Sequence, residues 1–252
     1  EAIEIGRRAG VSVEISHHKA TGQANWGMVK HSLKMIGEAR SGGVNVACDV
    51  YPYTAGSFGL SSMLPPWTYE GGVDDLVRRL KNPEARRRIK EEMELARSRG
   101  QGSLAAAGWD QTIIARCGSH PGYEGRTVEK IAAETNQNPH EFVFDLLQLE
   151  PSVSVVRFMM DEKDVRYVLS RPDTMIGSDS HAAAPYGPLG RGKPHPRTYG
   201  TFPRVLAKYV REEKALTLEK AVMKMSYLPA AKLGLHERGQ IAPGMFADLV
   251  VF

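Results

Sequence analysis

The segment VSVEISH (residues 11–17) alternates polar and apolar residues with period two, which is the pattern of a half-buried strand. A predicted helix over residues 1–9 precedes it and ends at Gly10. A second helix is predicted over residues 25–40, and a second strand over residues 44–51. This order of helix, strand, helix and strand is typical of an α/β protein built on a parallel sheet.

The rest of the chain continues the mixture of helices, strands and long loops. Further helices are predicted over residues 74–99 with a break at 82–83, 127–135, 139–148, 164–170, 202–213, 218–225 and 229–235. Asn138 and Thr217 are predicted to cap two of them. Further strands are predicted over residues 113–115, 153–159 and 174–179, and long loops over residues 54–72 and 180–200. A turn followed by a strand is predicted for residues 239–252.

The composition is that of an ordinary globular protein. The chain has 252 residues, of which 42% are hydrophobic and 25% charged, and this excludes general disorder, collagen and a disulfide scaffold. A net charge of +4 is small for this length, and acidic residues interrupt the basic run over residues 78–90, so we predict no nucleic-acid partner.

Compartment and membrane association follow from two further features. No apolar run approaches the roughly 18 residues of a membrane span, so no membrane partner is predicted. Cys48 and Cys117 have neither metal-pair nor redox-pair spacing, and two thiols in a chain of this length suit a reducing compartment. We therefore predict a cytoplasmic protein.

Three candidate side chains follow the first strand. Alternation puts His17 and Lys19 on one face and His18 on the other. At the carboxyl end of a parallel strand one face borders the crevice where α/β proteins bind ligands. A neutral imidazole there can bind zinc, and an ammonium group can hold a carboxylate. The alternative is one core histidine and a surface pair.

The ends of two other predicted strands also carry polar side chains. Tyr51 and Tyr53 share a face with Asp49, and they either expose hydroxyls at the rim or simply pack there. Asp179 follows a small apolar stretch, where a carboxylate acts as a metal ligand, a general base or an N-cap. His195 lies between two prolines, and this position predicts either a contact with the substrate or packing within the loop.

The chain resembles the N-acyl-D-amino-acid deacylases (D-aminoacylases) of the metal-dependent amidohydrolase superfamily. The resemblance spans nearly the whole chain and rests on the motifs ISHHK (residues 15–19), DVYPY (49–53), FMMD (158–161), TMIGSD (174–179), HPRTYGTFPRVL (195–206) and GQIAPGMFADLVV (239–251). It implies an α/β fold: the C-terminal part of a (β/α)8 TIM-like barrel, about strands 6–8. Residues 1–236 would be partial barrel with an insertion at about 58–112, and residues 237–252 the first strand of a small β-sandwich.

The resemblance also implies a set of functional residues. His17 matches the metal-binding histidine of the sixth strand. Asp179 matches the aspartate of the eighth strand, which is the catalytic base and contacts a second metal. Lys19, Tyr51 and Ser57 match positions that bind the substrate's carboxylate and nearby polar groups. Met160 matches a position near the pocket for the substrate's side chain. The implied cofactor is zinc, one or two ions, and the implied substrate is a small N-acyl-D-amino acid.

Several family motifs are absent from this chain. It contains neither the His-x-His of the first strand, nor the bridging cysteine, nor the histidine of the fifth strand. We therefore expect a fragment truncated at both ends, with further zinc ligands upstream. Alone, it should be marginally stable, aggregation-prone and inactive, because three parallel strands leave open edges and two ligands do not make a zinc site.

The predicted activity of the complete protein is zinc-dependent hydrolysis of N-acyl-D-amino acids. Two alternatives stay open. One is a hydantoinase-like or dihydroorotase-like reaction on a cyclic amide. The other is a non-catalytic, truncated remnant.

Overall fold

The computed structural model describes residues 1–252, apart from the side chains of residues 103 and 105. The strands are β1 (Val13–Ile15), β2 (Val46–Val50), β3 (Ala55–Gly59), β4 (Thr112–Arg116), β5 (Ser154–Phe158) and β6 (Thr174–Ile176). The α-helices are α1 (Ala2–Ala9), α2 (Val29–Ser41), α3 (Val73–Leu80), α4 (Pro83–Ser98), α5 (Gly102–Ala106), α6 (Val128–Glu134), α7 (Pro139–Leu149), α8 (Glu162–Ser170), α9 (Arg197–Arg204), α10 (Leu218–Met225) and α11 (Tyr227–Lys232).

A parallel sheet of order β1-β2-β6 carries the predicted α/β layer. Cys48 on β2 is aligned with Ile15 on one side and with Thr174 on the other. Helices α2 and α8 pack against β2 and cover one face of the sheet. The parallel sheet that the sequence predicts is confirmed, and because its strands are parallel, their carboxyl ends lie side by side.

A second sheet lies between β2 and β6 along the chain. Its order is β3-β5-β4, and both pairs are antiparallel. Helices α3, α4, α6 and α7 contribute to one apolar cluster beside it, which includes Leu80, Ile89, Ile131 and Leu147. The described elements of this unit run from β3 to the end of β5. The limits of 58–112 given to the insertion stay a prediction.

The predicted loop over residues 54–72 is wrong, because it contains β3 and two short 3-10 helices, Leu60–Met63 and Pro66–Tyr69. The sequence of β3 is AGSFG, whose small residues give no strand pattern of their own. All five residues of β3 pair with β5, so tertiary pairing rather than local preference forms this strand.

The predicted break at 82–83 is confirmed, and its cause is a helix cap. The Asn82 side chain accepts hydrogen bonds from the backbone N–H groups of Glu84 and Ala85, at 2.8 and 3.2 Å. Pro83 occupies the first helical position, where its missing N–H costs nothing. The predicted Asn138 and Thr217 caps are confirmed in the same way, since each side chain accepts a hydrogen bond from the helix it precedes.

The helix predicted over residues 202–213 begins earlier and changes its winding. It starts as α9 at Arg197 and continues as a π-helix, Val205–Glu212. Pro203 lies inside α9, where it removes an N–H donor and crowds the preceding turn. The wider winding follows directly and buries Val205 and Tyr209.

The strand predicted within residues 239–252 is wrong. Residues 237–252 form neither helix nor strand, and Ile241 and Val251 are 89% and 99% exposed. A strand needs a partner for its N–H and C=O groups, and the described chain supplies none here. The assignment of this segment to a β-sandwich stays a prediction. Within the described chain, no helix has both the length and the apolar character needed to cross a membrane.

We predict that Leu147→Ala will destabilise the chain by about 2–5 kcal/mol, because it opens a cavity in the core beside the second sheet. Leu147 is fully buried, whereas Leu149 on the same helix is 61% exposed. Leu149→Ala is therefore the matched control and should cost no more than about 0.5 kcal/mol. Urea unfolding followed by circular dichroism measures both. Equal losses would contradict the assigned core.

Candidate active site

The carboxyl ends of β1 and β2, together with β3, border a cavity of about 510 Å³. We call it the central cavity. Its lining includes His17, Lys19, Tyr51, Ser57 and Asp179. Five of the six side chains that the sequence analysis singles out as the site therefore lie around one space.

Met160, the sixth residue, lies beside this cavity rather than in its lining. It is 6% exposed and borders a small space of about 10 Å³ together with His17, Lys19 and Tyr51. A side chain in this position can limit the end of the central cavity. The space that it borders itself is too small for a ligand.

His17 and Asp179 adopt an unusual backbone conformation. Their φ angles are 45° and 47°, which places both in the left-handed region that non-glycine residues seldom occupy. Each follows a strand of the parallel sheet within three residues. The backbone N–H of His17 donates a 2.8 Å hydrogen bond to the Asp49 carboxylate, which holds the turn after β1. Strained turns of this kind are concentrated at functional sites.

Arg197 is the site residue that the sequence analysis missed. Its Nη1 lies 2.7 Å from Asp179 Oδ2, and its guanidinium carbon lies 4.5 Å from the centre of the Tyr51 ring. It lines the central cavity, and its side chain is 10% exposed. The sequence placed it in the loop after Asp179 without a role. Its position after Pro196, inside the motif over residues 195–206, is a signal that could have been used.

Lys19 is a second cation at this cavity. Its ammonium lies 5.2 Å from the centre of the Tyr51 ring. Burial lowers the pKa of Lys19 to about 8, and the nearby Asp179 charge partly opposes that shift. Burial likewise raises the pKa of Tyr51 to about 12, so its hydroxyl keeps its proton and can donate a hydrogen bond. The cavity thus offers two cations and a hydroxyl donor around one carboxylate.

The two adjacent histidines have different surroundings. His17 is exposed at the cavity, whereas His18 is 9% exposed, and its Nε2 lies 3.0 Å from Ser32 Oγ on α2. Burial lowers the pKa of His18. The two rings therefore differ in exposure, as the period-two pattern predicts.

His195 connects β3 to the start of α9. Its Nε2 lies 2.8 Å from the carbonyl oxygen of Ala55, and its Nδ1 accepts a 2.9 Å hydrogen bond from the N–H of Arg197. These bonds require the neutral ring with its proton on Nε2. Both ring nitrogens thus already have hydrogen-bond partners within the protein. This favours loop packing of His195 over direct contact with a substrate.

The two predicted metal ligands, His17 and Asp179, do not complete a zinc site. The described residues contain no group of three or more His, Cys, Asp and Glu side chains that could hold an ion. His17 and Asp179 border the same cavity, but zinc takes three or four protein ligands, and one Asp179 oxygen is already paired with Arg197.

The parallel sheet and the polar site at its carboxyl edge are typical of an α/β enzyme. Residues 18–252 match the amidohydrolase family, and the chain belongs to that family. The chain is 38% identical over 252 residues to a D-aminoacylase from Alcaligenes xylosoxydans xylosoxydans, covering all of this chain and 41% of that protein. The resemblance to the N-acyl-D-amino-acid deacylases is therefore confirmed.

Solved structures of similar proteins agree with this assignment. A D-aminoacylase studied for its binuclear metal centre matches with a TM-score of 0.70 and 37% identity, over 98% of this chain and 41% of that one. An N-acyl-D-glutamate deacylase from Bordetella bronchiseptica, complexed with zinc and a phosphonate inhibitor, matches with a TM-score of 0.71 and 31% identity over the same shares. The chain spans about two fifths of the length of these relatives.

We predict that His195 stays neutral far below the ordinary histidine pKa. Burial lowers its pKa from about 6.5 to about 4, while the Ala55 carbonyl weakly opposes the shift. Between these values the unfolded chain binds a proton that the folded chain does not, so this contribution to stability is lost as the pH falls from 6.5 towards 4.

Nitrogen-15 NMR of the histidine rings measures this titration. The resonances that disappear in His195→Gln should report the Nε2–H tautomer and a midpoint near pH 4. A midpoint near the ordinary value would contradict the buried geometry.

Proposed function

We propose that this chain provides the proton-transferring and substrate-orienting part of an active site that hydrolyses N-acyl-D-amino acids. The products would be a carboxylic acid and a free D-amino acid. The observation that carries the proposal is the central cavity, where the Asp179 carboxylate faces two cations, Lys19 and Arg197. The similarity to a D-aminoacylase supports the same activity.

Asp179 is the proposed general base. It would take a proton from the water that attacks the acyl carbonyl and pass it to the amine, because an amine leaves poorly without a proton. Arg197 holds one carboxylate oxygen, so the other can face the water. The turn after β6 places this carboxylate on the wall of the cavity.

Lys19 is the proposed partner of the substrate's α-carboxylate. In the described part of the chain it forms no ion pair of its own, so its charge is available to a ligand. Tyr51 lies beside it and offers a hydroxyl, and Ser57 offers another on β3. The hand of the substrate would be fixed because three different substituents of its α-carbon are held: the carboxylate by these groups, the amide at Asp179 and the side chain against Met160.

The proposed cofactor is zinc, one or two ions, with His17 and Asp179 as two ligands. The remaining ligands have to come from outside the described residues. We further propose that β1, β2 and β6 are the sixth, seventh and eighth strands of an amidohydrolase barrel. Their consecutive, all-parallel order supports this numbering.

The short set of metal ligands also supports one alternative, that this chain on its own is a non-catalytic remnant. One experiment separates the two. Zinc content and release of D-methionine from N-acetyl-D-methionine are measured on this chain and on a form extended upstream in the gene. Activity of the extended form alone supports the proposal. Inactivity of both forms supports the remnant. A cyclic amide in the same assay tests the hydantoinase-like reaction.

We predict that Asp179→Asn will lower kcat for N-acetyl-D-methionine by about 10³-fold in the active form, since the base and its proton transfer are lost. Circular dichroism should be unchanged. Asp74→Asn, an exposed carboxylate in the first turn of α3, is the matched control. Full turnover of Asp179→Asn would remove Asp179 from the role of base.

We predict that KM for N-acetyl-D-methionine will rise above about pH 8, because the Lys19 ammonium loses its proton there. Lys19→Ala should raise KM by about tenfold or more below that pH, with a smaller effect on kcat. Lys19→Arg should abolish the rise, since a guanidinium stays charged. A pH-independent KM in the wild-type protein would exclude Lys19 as the carboxylate partner.

A further inference from the structure

The connection between β1 and α2 carries Lys19 and passes along the wall of the central cavity. Thr21 in the same connection also lines this cavity. We call residues 19–28 the Lys19 loop. The proposed partner of the substrate's carboxylate therefore lies on a loop, and a side chain on a loop keeps its position only where neighbouring elements hold the loop in place.

The middle of the Lys19 loop is a unit closed by its own hydrogen bonds. It contains a short 3-10 helix, Gln23–Asn25. The backbone N–H of Asn25 donates a 2.9 Å hydrogen bond to the carbonyl of Gly22, and its side-chain amide donates another of 2.9 Å to the carbonyl of Thr21. A displacement at one end of this unit is therefore transmitted to Thr21, two residues from Lys19.

The unit is attached to the region around α8 at both ends. At its beginning, the N–H of Gly22 donates a 2.8 Å hydrogen bond to the carbonyl of Met159. At its end, the N–H of Gly27 donates a 2.8 Å hydrogen bond to Asp164 Oδ2 on α8. The first acceptor belongs to the main chain, whereas the second belongs to a side chain that a substitution can remove.

Asp164 lies in a place where a carboxylate needs partners. It is 6% exposed and lies in the first turn of α8, where the end of the helix favours a negative charge. Together with Lys19 and Ala20 it borders the small space of about 10 Å³ beside the central cavity. Asp164 thus holds the end of the Lys19 loop by a hydrogen bond and lies across a narrow gap from its beginning.

We propose that Asp164 is a positioning residue, which holds the Lys19 ammonium where the substrate's α-carboxylate binds. This inference rests on the proposed function, in which Lys19 is the partner of that carboxylate. Asp164 lies beside the central cavity and not in its lining, so it acts on the substrate through the loop.

The proposed base and the predicted metal ligand are held by other contacts. Arg197 pairs with Asp179, and the Asp49 carboxylate accepts the hydrogen bond from the N–H of His17. Loss of the Asp164 carboxylate should therefore affect binding of the substrate more than the chemical step.

The test compares two substitutions of Asp164 in the active, upstream-extended form. Asp164→Leu keeps the size of the side chain and removes the acceptor, whereas Asp164→Asn keeps an oxygen that can accept from Gly27. We expect Asp164→Leu to raise KM for N-acetyl-D-methionine by about fivefold or more and to leave kcat within about twofold. Asp164→Asn should stay within about twofold of the wild-type protein in both constants. Asp74→Leu, which replaces an exposed carboxylate in the first turn of α3, is the matched control.

A merely structural role for Asp164 gives a different result. It would lower the fraction of folded protein, and with it the apparent kcat, without changing KM. That result would overturn the positioning role, and so would an Asn variant with the same rise in KM as the Leu variant.

If none of these proteins hydrolyses the substrate, the proposed function fails, and the position of Lys19 is tested without activity. The 252-residue chain is acetylated with acetic anhydride, and peptide mass spectrometry gives the rate at Lys19 relative to Lys130, an exposed lysine on α6. Lys19 is half-buried, so release of its loop should raise this ratio about threefold or more in Asp164→Leu and leave it unchanged in Asp164→Asn. The same ratio in all three proteins would reject the proposal.

Discussion

The parallel hydrogen bonding of β2 to both β1 and β6 is the constraint on which the site depends. The register aligns Cys48 with Ile15 and with Thr174, so the three strands end at the same edge. The residues that follow them, His17, Tyr51 and Asp179, come together for that reason alone. Asp179 is separated from both His17 and Tyr51 by more than a hundred residues of chain, so no local interaction could bring it to them. A slip of one residue in either pair would send one of these side chains to the other face of the sheet.

His195 is one of the contacts that hold the antiparallel sheet to the site, since it links β3 to the start of α9. The ring bridges the Ala55 carbonyl on β3 and the Arg197 N–H at the start of α9. It also packs edge-on against Tyr51 and Tyr53, with ring centres 5.8 and 5.3 Å away. A protonated ring could not accept from Arg197, so the neutral state is part of the architecture. This buried imidazole thus helps to position Arg197, which pairs with Asp179.

The sequence was sufficient where structure depends on local chemistry or on strand order. The break at 82–83, the caps at Asn138 and Thr217 and the helix–strand alternation follow from residue type and spacing, and each is confirmed. The sequence was insufficient where a contact between residues far apart in the chain determines the structure. The strand β3 exists because β5 pairs with it, and the final segment lacks a strand because nothing pairs with it. Arg197 likewise reaches Asp179 only because the intervening loop folds back along β4, which no spacing rule indicates.

The open edges of the parallel sheet and the incomplete set of predicted metal ligands have one physical origin. Within the described chain β1 and β6 each have a single partner, and His17 and Asp179 follow these two outer strands. Zinc ligands in a barrel converge from strands on every side of its axis, so an open sheet presents ligands from one side only. Any polypeptide that paired with β1 and β6 would close the sheet and bring its own strand ends to face His17 and Asp179. Closure of the sheet and completion of the metal site would then be a single event. The cations of the site need no such partner. Arg197 pairs with Asp179, and both Lys19 and Arg197 lie against the ring of Tyr51, so these two cations are positioned by contacts within this chain.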